Sequence, residues 1–124
     1  MKILLSVKPE FAYKIFDGTK KYEFRRSIFK NGAIKKIVVY ASSPVRKIIG
    51  EFEIDGILSA DPVVLWSQTK GYSGISDRHF FEYFGGKACG YASKIKKPVL
   101  YKKPKCIRQD FNLHPPQSFL YLTR

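Results

Sequence analysis

Seven consecutive residues, Lys35-Lys36-Ile37-Val38-Val39-Tyr40-Ala41, set the tightest limit on what this chain can fold into. The run is rich in β-branched side chains and does not alternate with polar ones. Such a strand must be buried on both faces or lie centrally in a sheet. It stops at the turn-forming Ser42-Ser43-Pro44. The chain has 124 residues, enough for one core and too few for a second, so residues 1–124 read as a single domain.

The flanking segments supply short partners for that strand. Residues 2–8 carry Ile3, Leu5 and Val7 on one face, although Leu4 breaks the alternation. Pro9 opens and Gly18 closes a short helix whose Phe11, Ala12, Ile15 and Phe16 form one apolar stripe. From Lys20 the period becomes two, with Tyr22 and Phe24 alternating against Lys21, Glu23 and Arg25. Asn31-Gly32 marks a turn. Another strand spans 46–54, with Ile48, Phe52 and Ile54 on one face and Ile49, Glu51 and Glu53 on the other. Its Gly50 marks a bulge or a close backbone approach.

Asp61-Pro62 starts a helix that ends near Gly71, and Ser76 or Asp77 caps a second one through Phe84. Strand patterning returns over 87–95 and 98–102, separated by Lys97-Pro98. A proline-punctuated basic stretch follows to Pro116, and SFLYLT (118–123) forms a last strand. About six short strands with inserted helices predict an α+β fold built on a small mixed β-barrel.

Several function classes are excluded at once. No uncharged apolar run approaches about 18 residues, so no membrane-spanning helix is expected. MKILLSV is too short for a signal-peptide core, and with only two cysteines the chain reads as cytoplasmic or intranuclear, with reduced thiols. Cys89, Cys106, His79 and His114 lack the close spacing of metal ligands, so no metal is expected. Phosphate-binding and dinucleotide-binding glycine motifs are absent, as is a serine nucleophile elbow, and no cofactor is expected.

Charge points toward a polyanion. The formal net charge is +13, and it is unevenly spread. Residues 1–50 hold 12 basic against 3 acidic side chains, 51–86 hold 2 against 6, and 87–124 hold 9 against 1. Two basic blocks on a small domain favour contact with RNA or a nucleotide.

The segment from Gly18 to Arg26 carries the most chemistry. A helix ends at a glycine, and the next strand presents Lys20, Glu23 and Arg25. The lysine can hold a phosphate or a carbonyl oxygen. The carboxylate can accept from a base's exocyclic amine or move a proton, and the arginine can fork onto an acceptor pair. Strand parity places Glu23 with Arg25. Lys20 is out of phase and converges only if the turn after Gly18 is not yet regular strand. In a ligand pocket the three should be mutually close and partly exposed; a Glu23–Arg25 ion pair on a charged strand is the plainer alternative.

This G-x-K-x-x-E-x-R pattern (Gly18, Lys20, Glu23, Arg25) lies between a strand–helix unit and two strands. Together with SVKP at 6–9, YASSP at 40–44 and PQSFLYL at 116–122, it resembles the ASCH domain family, a branch of the PUA-like superfold. The resemblance covers nearly the whole chain. It implies a five- or six-stranded barrel flanked by helices, with a cleft beside the motif, and a role in RNA binding, RNA metabolism or regulation of transcription or translation. It also implies an enzymatic alternative, amidohydrolase or ribonuclease, with Lys20 and Glu23 as the catalytic pair. The amidohydrolase branch uses a lysine, a threonine and a later glutamate. Its lysine matches Lys20, its threonine falls where this chain has Glu23, and no glutamate stands in 71–76; Glu82, inside the following helix, is the nearest. Around this centre Lys8, Ser42, Ser43 and Tyr72 complete the expected binding set. Trp66 reads as core, and Lys102, Lys103 and Lys105 would track phosphates outside the pocket.

Overall fold

The computed structural model describes residues 2–30 and 32–122. Asn31 of the expected turn and Thr123 at the end of the expected last strand lie outside the described residues. The elements run β1 (Lys2–Val7), α1 (Pro9–Asp17), β2 (Tyr22–Arg25), β3 (Lys36–Ala41), β4 (Lys47–Ala60), α2 (Pro62–Thr69), α3 (Asp77–Tyr83), β5 (Gly90–Lys105), α4 (Ile107–Phe111) and β6 (Phe119–Leu122). A single 3-10 turn at Lys70–Tyr72 joins α2 to the segment before α3.

The non-alternating run becomes β3, at the centre of a six-stranded sheet of order β2-β5-β4-β3-β1-β6. It pairs in parallel with β1 and antiparallel with β4. Ile37, Val39 and Ala41 face an inner core with Ile3, Leu5, Val7, Phe52 and the α1 residues Ala12 and Ile15. Val38 and Tyr40 face a second core with Leu4, Ile48, Ile107 and Leu122. Leu4 breaks the alternation of β1 because its other face is covered too. The sheet curls into a half-barrel with helices packed around it, an α+β arrangement. A third cluster of Phe24, Leu65, Phe80, Phe84 and Ala92 joins α2 and α3 to the sheet. Trp66 belongs to it, 4.9 Å from the Phe80 ring.

The caps act as their sequences indicate. Asp61 Oδ1 accepts from the amides of Val63 and Val64, and Ser76 Oγ accepts from the His79 amide.

Bulges account for two departures from the sequence reading. On β4, Ile49 and not Ile48 shares the inner face with Phe52. Val39 pairs with Gly50 and Tyr40 with Ile48, so Ile49 is the extra residue that turns inward. The glycine beside it is obligatory for space, because a Cβ would lie 2.6 Å from the Phe16 ring and press on the Val99 carbonyl. In place of the two expected strands over 87–95 and 98–102 there is one long β5. Pro98 and Pro104 fall inside its register shifts, where no ladder amide is needed. Within the proline-rich stretch, α4 is too short to show a period. Asp110 Oδ2 accepts from the Cys106 amide to start it, and Asn112 ends it in the left-handed region. Cys89, which falls within the strand patterning over 87–95, stands half-buried just before β5.

Candidate nucleic-acid-binding site

The local chain path decides which charges meet. α1 stops at Gly18, whose φ of +87° suits glycine, and Asp17 Oδ1 accepts from both the amide and the hydroxyl of Thr19. These bonds hold the Asp17 carboxyl below its usual range. β2 begins only at Tyr22, so Lys20 lies in the turn and escapes strand alternation. Its amide donates to the Lys14 carbonyl, and its side chain turns inward. Along β2 the faces then separate. Phe24 packs against Phe80 and Phe84, while Glu23 and Arg25 turn to the side of Leu5, Ile37 and Phe52.

Lys20, Glu23 and Arg25 line one cavity of about 370 Å3, between the end of β1 and α3. Two of the three are more enclosed than the sequence suggests: Lys20 is 3% exposed and Glu23 7% exposed, while Arg25 is half-buried. The reason is the layer of α3 and the 70–75 segment folded over the turn. Lys20 Nζ donates to the Ser73 carbonyl at 2.9 Å and stands 4.7 Å from the Phe24 ring centre. Burial drives the lysine pKa down, partly opposed by the charge of Glu23 and reinforced by Lys14. Burial drives the Glu23 carboxyl up, against the pull of Lys20 and Arg25. Both groups are therefore pushed toward their neutral forms. Glu23 Oε2 is buried without a hydrogen-bond partner. The ion pairs within 4 Å among the described residues are Lys36–Glu51, Arg78–Glu82 and Lys97–Glu53, so the Glu23–Arg25 pair does not form.

The remaining sequence-marked residues divide into three places. Lys8 lines the cavity rim and also a second groove of about 660 Å3, whose wall holds Ser42, Ser43 and Arg46. Tyr83 stands between the two spaces and lines both. Its hydroxyl donates to the Phe24 carbonyl at 3.3 Å, and the Arg26 guanidinium lies 4.9 Å from its ring centre. Tyr72 lines neither space; it is 54% exposed, with Lys21 Nζ 4.5 Å from its ring centre. Lys102, Lys103 and Lys105 are exposed on the far half of β5 and line neither space.

Sequence reasoning missed the α3 wall: His79, Glu82 and Tyr83 face the cavity. Their i, i+3, i+4 spacing is one helical face, a signal masked by the stronger Phe80, Phe81, Phe84 stripe. Phe11, counted as core, packs edge-on against the His79 ring at 5.3 Å and lines the same cavity. Among the described residues no group of three metal-ligating side chains converges.

A curled six-stranded sheet with a buried lysine and carboxylate opening onto a cavity defines the class of small, basic, pocket-bearing β-barrel domains. Residues 5–106 match the ASCH domain, and this chain belongs to the ASCH family. An ASCH domain-containing ribonuclease of Zymomonas mobilis is 32% identical over 126 residues, spanning 98% of this chain and 84% of that protein. The crystal structure of ASCH from Zymomonas mobilis superposes with a TM-score of 0.86 at 31% identity, over 98% of this chain and 87% of that one. A serine-to-alanine mutant of the same protein superposes with a TM-score of 0.89 at 30% identity, over 98% and 87% of the two chains.

Proposed function

We propose that this ASCH domain binds single-stranded RNA, seating one base in the cavity over Lys20 and Glu23. The observation that carries this reading is Glu23, which lines the open cavity and whose Oε2 is buried without a partner. A buried acceptor without a partner is costly in the free protein, and a ligand N–H that meets it removes the cost. The exocyclic amine of a base is such a donor, and Lys20 and Arg25 stand ready for its ring and carbonyl acceptors. From the cavity the backbone would pass Lys8 and follow the groove between Ser42-Ser43 and Arg46, where hydroxyls and cations suit sugar and phosphate. Tyr72 and the lysines at 102, 103 and 105 would then add stacking and charge outside the pocket. Such a module fits a role in RNA metabolism or regulation of transcription or translation.

The test is fluorescence anisotropy with short RNAs of different sequence. Wild type should discriminate among them, and Glu23→Gln and Lys20→Ala should lose that discrimination while keeping weak binding to all. Equal discrimination by the variants would overturn the base pocket.

Ribonuclease activity is the second reading, favoured by the name of the Zymomonas relative. Lys20, its pKa lowered chiefly by burial, and Glu23, its pKa raised chiefly by burial, are the candidates for proton transfer in the cavity. Among enzymes it is preferred to an amidohydrolase, because Glu23 replaces the threonine which that chemistry attacks with. Glu82 does reach the cavity wall, but from α3 and beside Arg78, with Nε and Oε1 at 3.1 Å. Loss of RNA integrity in a gel assay, abolished by Glu23→Gln, would establish cleavage.

A further inference from the structure

We infer that the Ser73-Gly74 segment is the positioning element of the pocket: it captures the Lys20 ammonium on a backbone carbonyl and so keeps Glu23 open for a ligand. The inference deepens the base-pocket reading above and rests on it for the word ligand, but its geometry stands in the free protein.

Two opposite buried charges ordinarily satisfy each other, because either one left alone in a dry interior is strongly disfavoured. Here they do not. Lys20 Nζ donates to the Ser73 carbonyl at 2.9 Å, and Glu23 Oε2 is left without a partner. For this to persist, the carbonyl must be held in place by something other than the lysine.

The segment is held at several points. Ser73 is 2% exposed, and its hydroxyl donates to the Ile75 carbonyl at 2.9 Å, fixing the local turn. The Lys21 amide donates to the Tyr72 carbonyl at 2.8 Å, and Lys14 Nζ donates to the Gly74 carbonyl at 3.1 Å. The segment is thus tied on both sides of Ser73 to the α1 end and the turn that carries Lys20. Gly74 lies directly on the lysine stem, with a φ of +70°. A Cβ there would stand 2.5 Å from the Cβ of Lys20 and 2.8 Å from its Cγ. Only glycine lets the segment close to this distance in this conformation. Lys14 lines neither the cavity nor the groove, so it can be altered without touching a ligand.

The charged and titratable groups around Glu23 are Lys20 and Arg25 beside it, Lys8 from the end of β1, and His79, Glu82 and Tyr83 from α3. If the segment holds Lys20 away, loosening it should let the ammonium close on the carboxylate and favour its ionised form.

The experiment follows the carboxyl carbon of Glu23 by NMR through a pH titration of the ligand-free protein, in wild type, Lys14→Met and Gly74→Ala. In Lys14→Met the midpoint should fall by about one pH unit. Loss of the Lys14 charge alone would move it the other way, and a fall caused only by water entering a loosened segment would persist in a Lys20→Met background, where the fall expected here disappears. Gly74→Ala should give the same fall, and if it does not fold, Lys14→Met decides. Anisotropy should show about tenfold weaker discrimination among RNAs in Lys14→Met, with sequence-blind affinity kept within the loss of one charge. An unchanged or higher midpoint in Lys14→Met overturns the positioning role, whatever RNA does. A lowered midpoint in a protein that binds no RNA upholds the positioning role and overturns the RNA reading instead.

Discussion

Lys20 and Glu23 are buried in the wall of the same cavity without pairing: the lysine ammonium hydrogen-bonds the Ser73 carbonyl at 2.9 Å, and Oε2 of the glutamate has no partner. Interiors that serve only stability do not keep such an arrangement, since each group is disfavoured where it stands.

Replacing Glu23 by Gln should therefore stabilise the fold at neutral pH. The folded carboxyl pKa is raised, chiefly by burial, so the carboxyl favours folding below its unfolded value of 4.5 and loses that contribution as pH rises through the folded value. Denaturant titrations at several pH values should show Glu23→Gln more stable by roughly 1 kcal/mol above the folded midpoint. The difference should shrink toward pH 4. A variant destabilised at pH 7 would mean that the carboxylate holds the fold together.

Binding to RNA should weaken steeply with salt, as expected for a chain of net charge +13. Replacing Lys102, Lys103 and Lys105 by alanine should weaken all RNAs alike. The slope of log affinity against log salt should flatten by up to about two. Loss of discrimination in that triple variant would place base recognition on β5 and away from the cavity.

Gly50→Ala should cost on the order of 2 kcal/mol in equilibrium unfolding, because a Cβ collides with the Phe16 ring and the Val99 backbone between paired strands. Discrimination among RNAs by the folded fraction should be unchanged. A neutral effect would show that the β4 bulge can relax.

The Glu51 carboxylate accepts from Lys36 at 2.8 Å and from the Tyr101 hydroxyl at 2.7 Å, and Lys36 leads the causes that hold its pKa below the usual range. A lowered folded pKa gives stability that is present above 4.5 and lost as pH falls through the folded value. The melting temperature of Glu51→Gln should sit below that of wild type at pH 7 and meet it in acid. Equal melting at pH 7 would show that solvent screens the trio completely.

The sequence revealed the elements that obey one strong rule. Ile37 to Tyr40 announce a central strand through composition alone, Pro9 with Gly18 bounds α1, and Asp61 and Ser76 cap their helices. It was silent where position depends on partners. Nothing local says that Ile49 is the bulged residue, since that follows from how Val39 and Tyr40 pair. Pro98 looked like a strand end because its place in a register shift exists only once β4 is alongside. For the site, the motif spacing marked Lys20, Glu23 and Arg25, and the condition that Lys20 lies in an irregular turn is met at Gly18. Their deep burial and the wall made by His79, Glu82 and Tyr83 depend on α3 folding over them, a contact between segments more than 50 residues apart.

The β5 strand is far longer than its outer neighbour. β2 covers only Tyr91–Lys94, so among the described residues the outer edge from Lys96 to Lys105 has no strand beside it. An open edge invites the same edge of another molecule, and Val99 and Leu100 there are exposed and apolar. Lys96, Lys97, Lys102, Lys103 and Lys105 stud this edge, and Pro98 and Pro104 remove two of its amides. Lysines and prolines so placed disfavour edge-to-edge pairing with another copy, independently of any contact with phosphate. Stripping three of those charges should make the protein self-associate at high concentration and low salt. Light scattering must accompany any binding measurement on that variant.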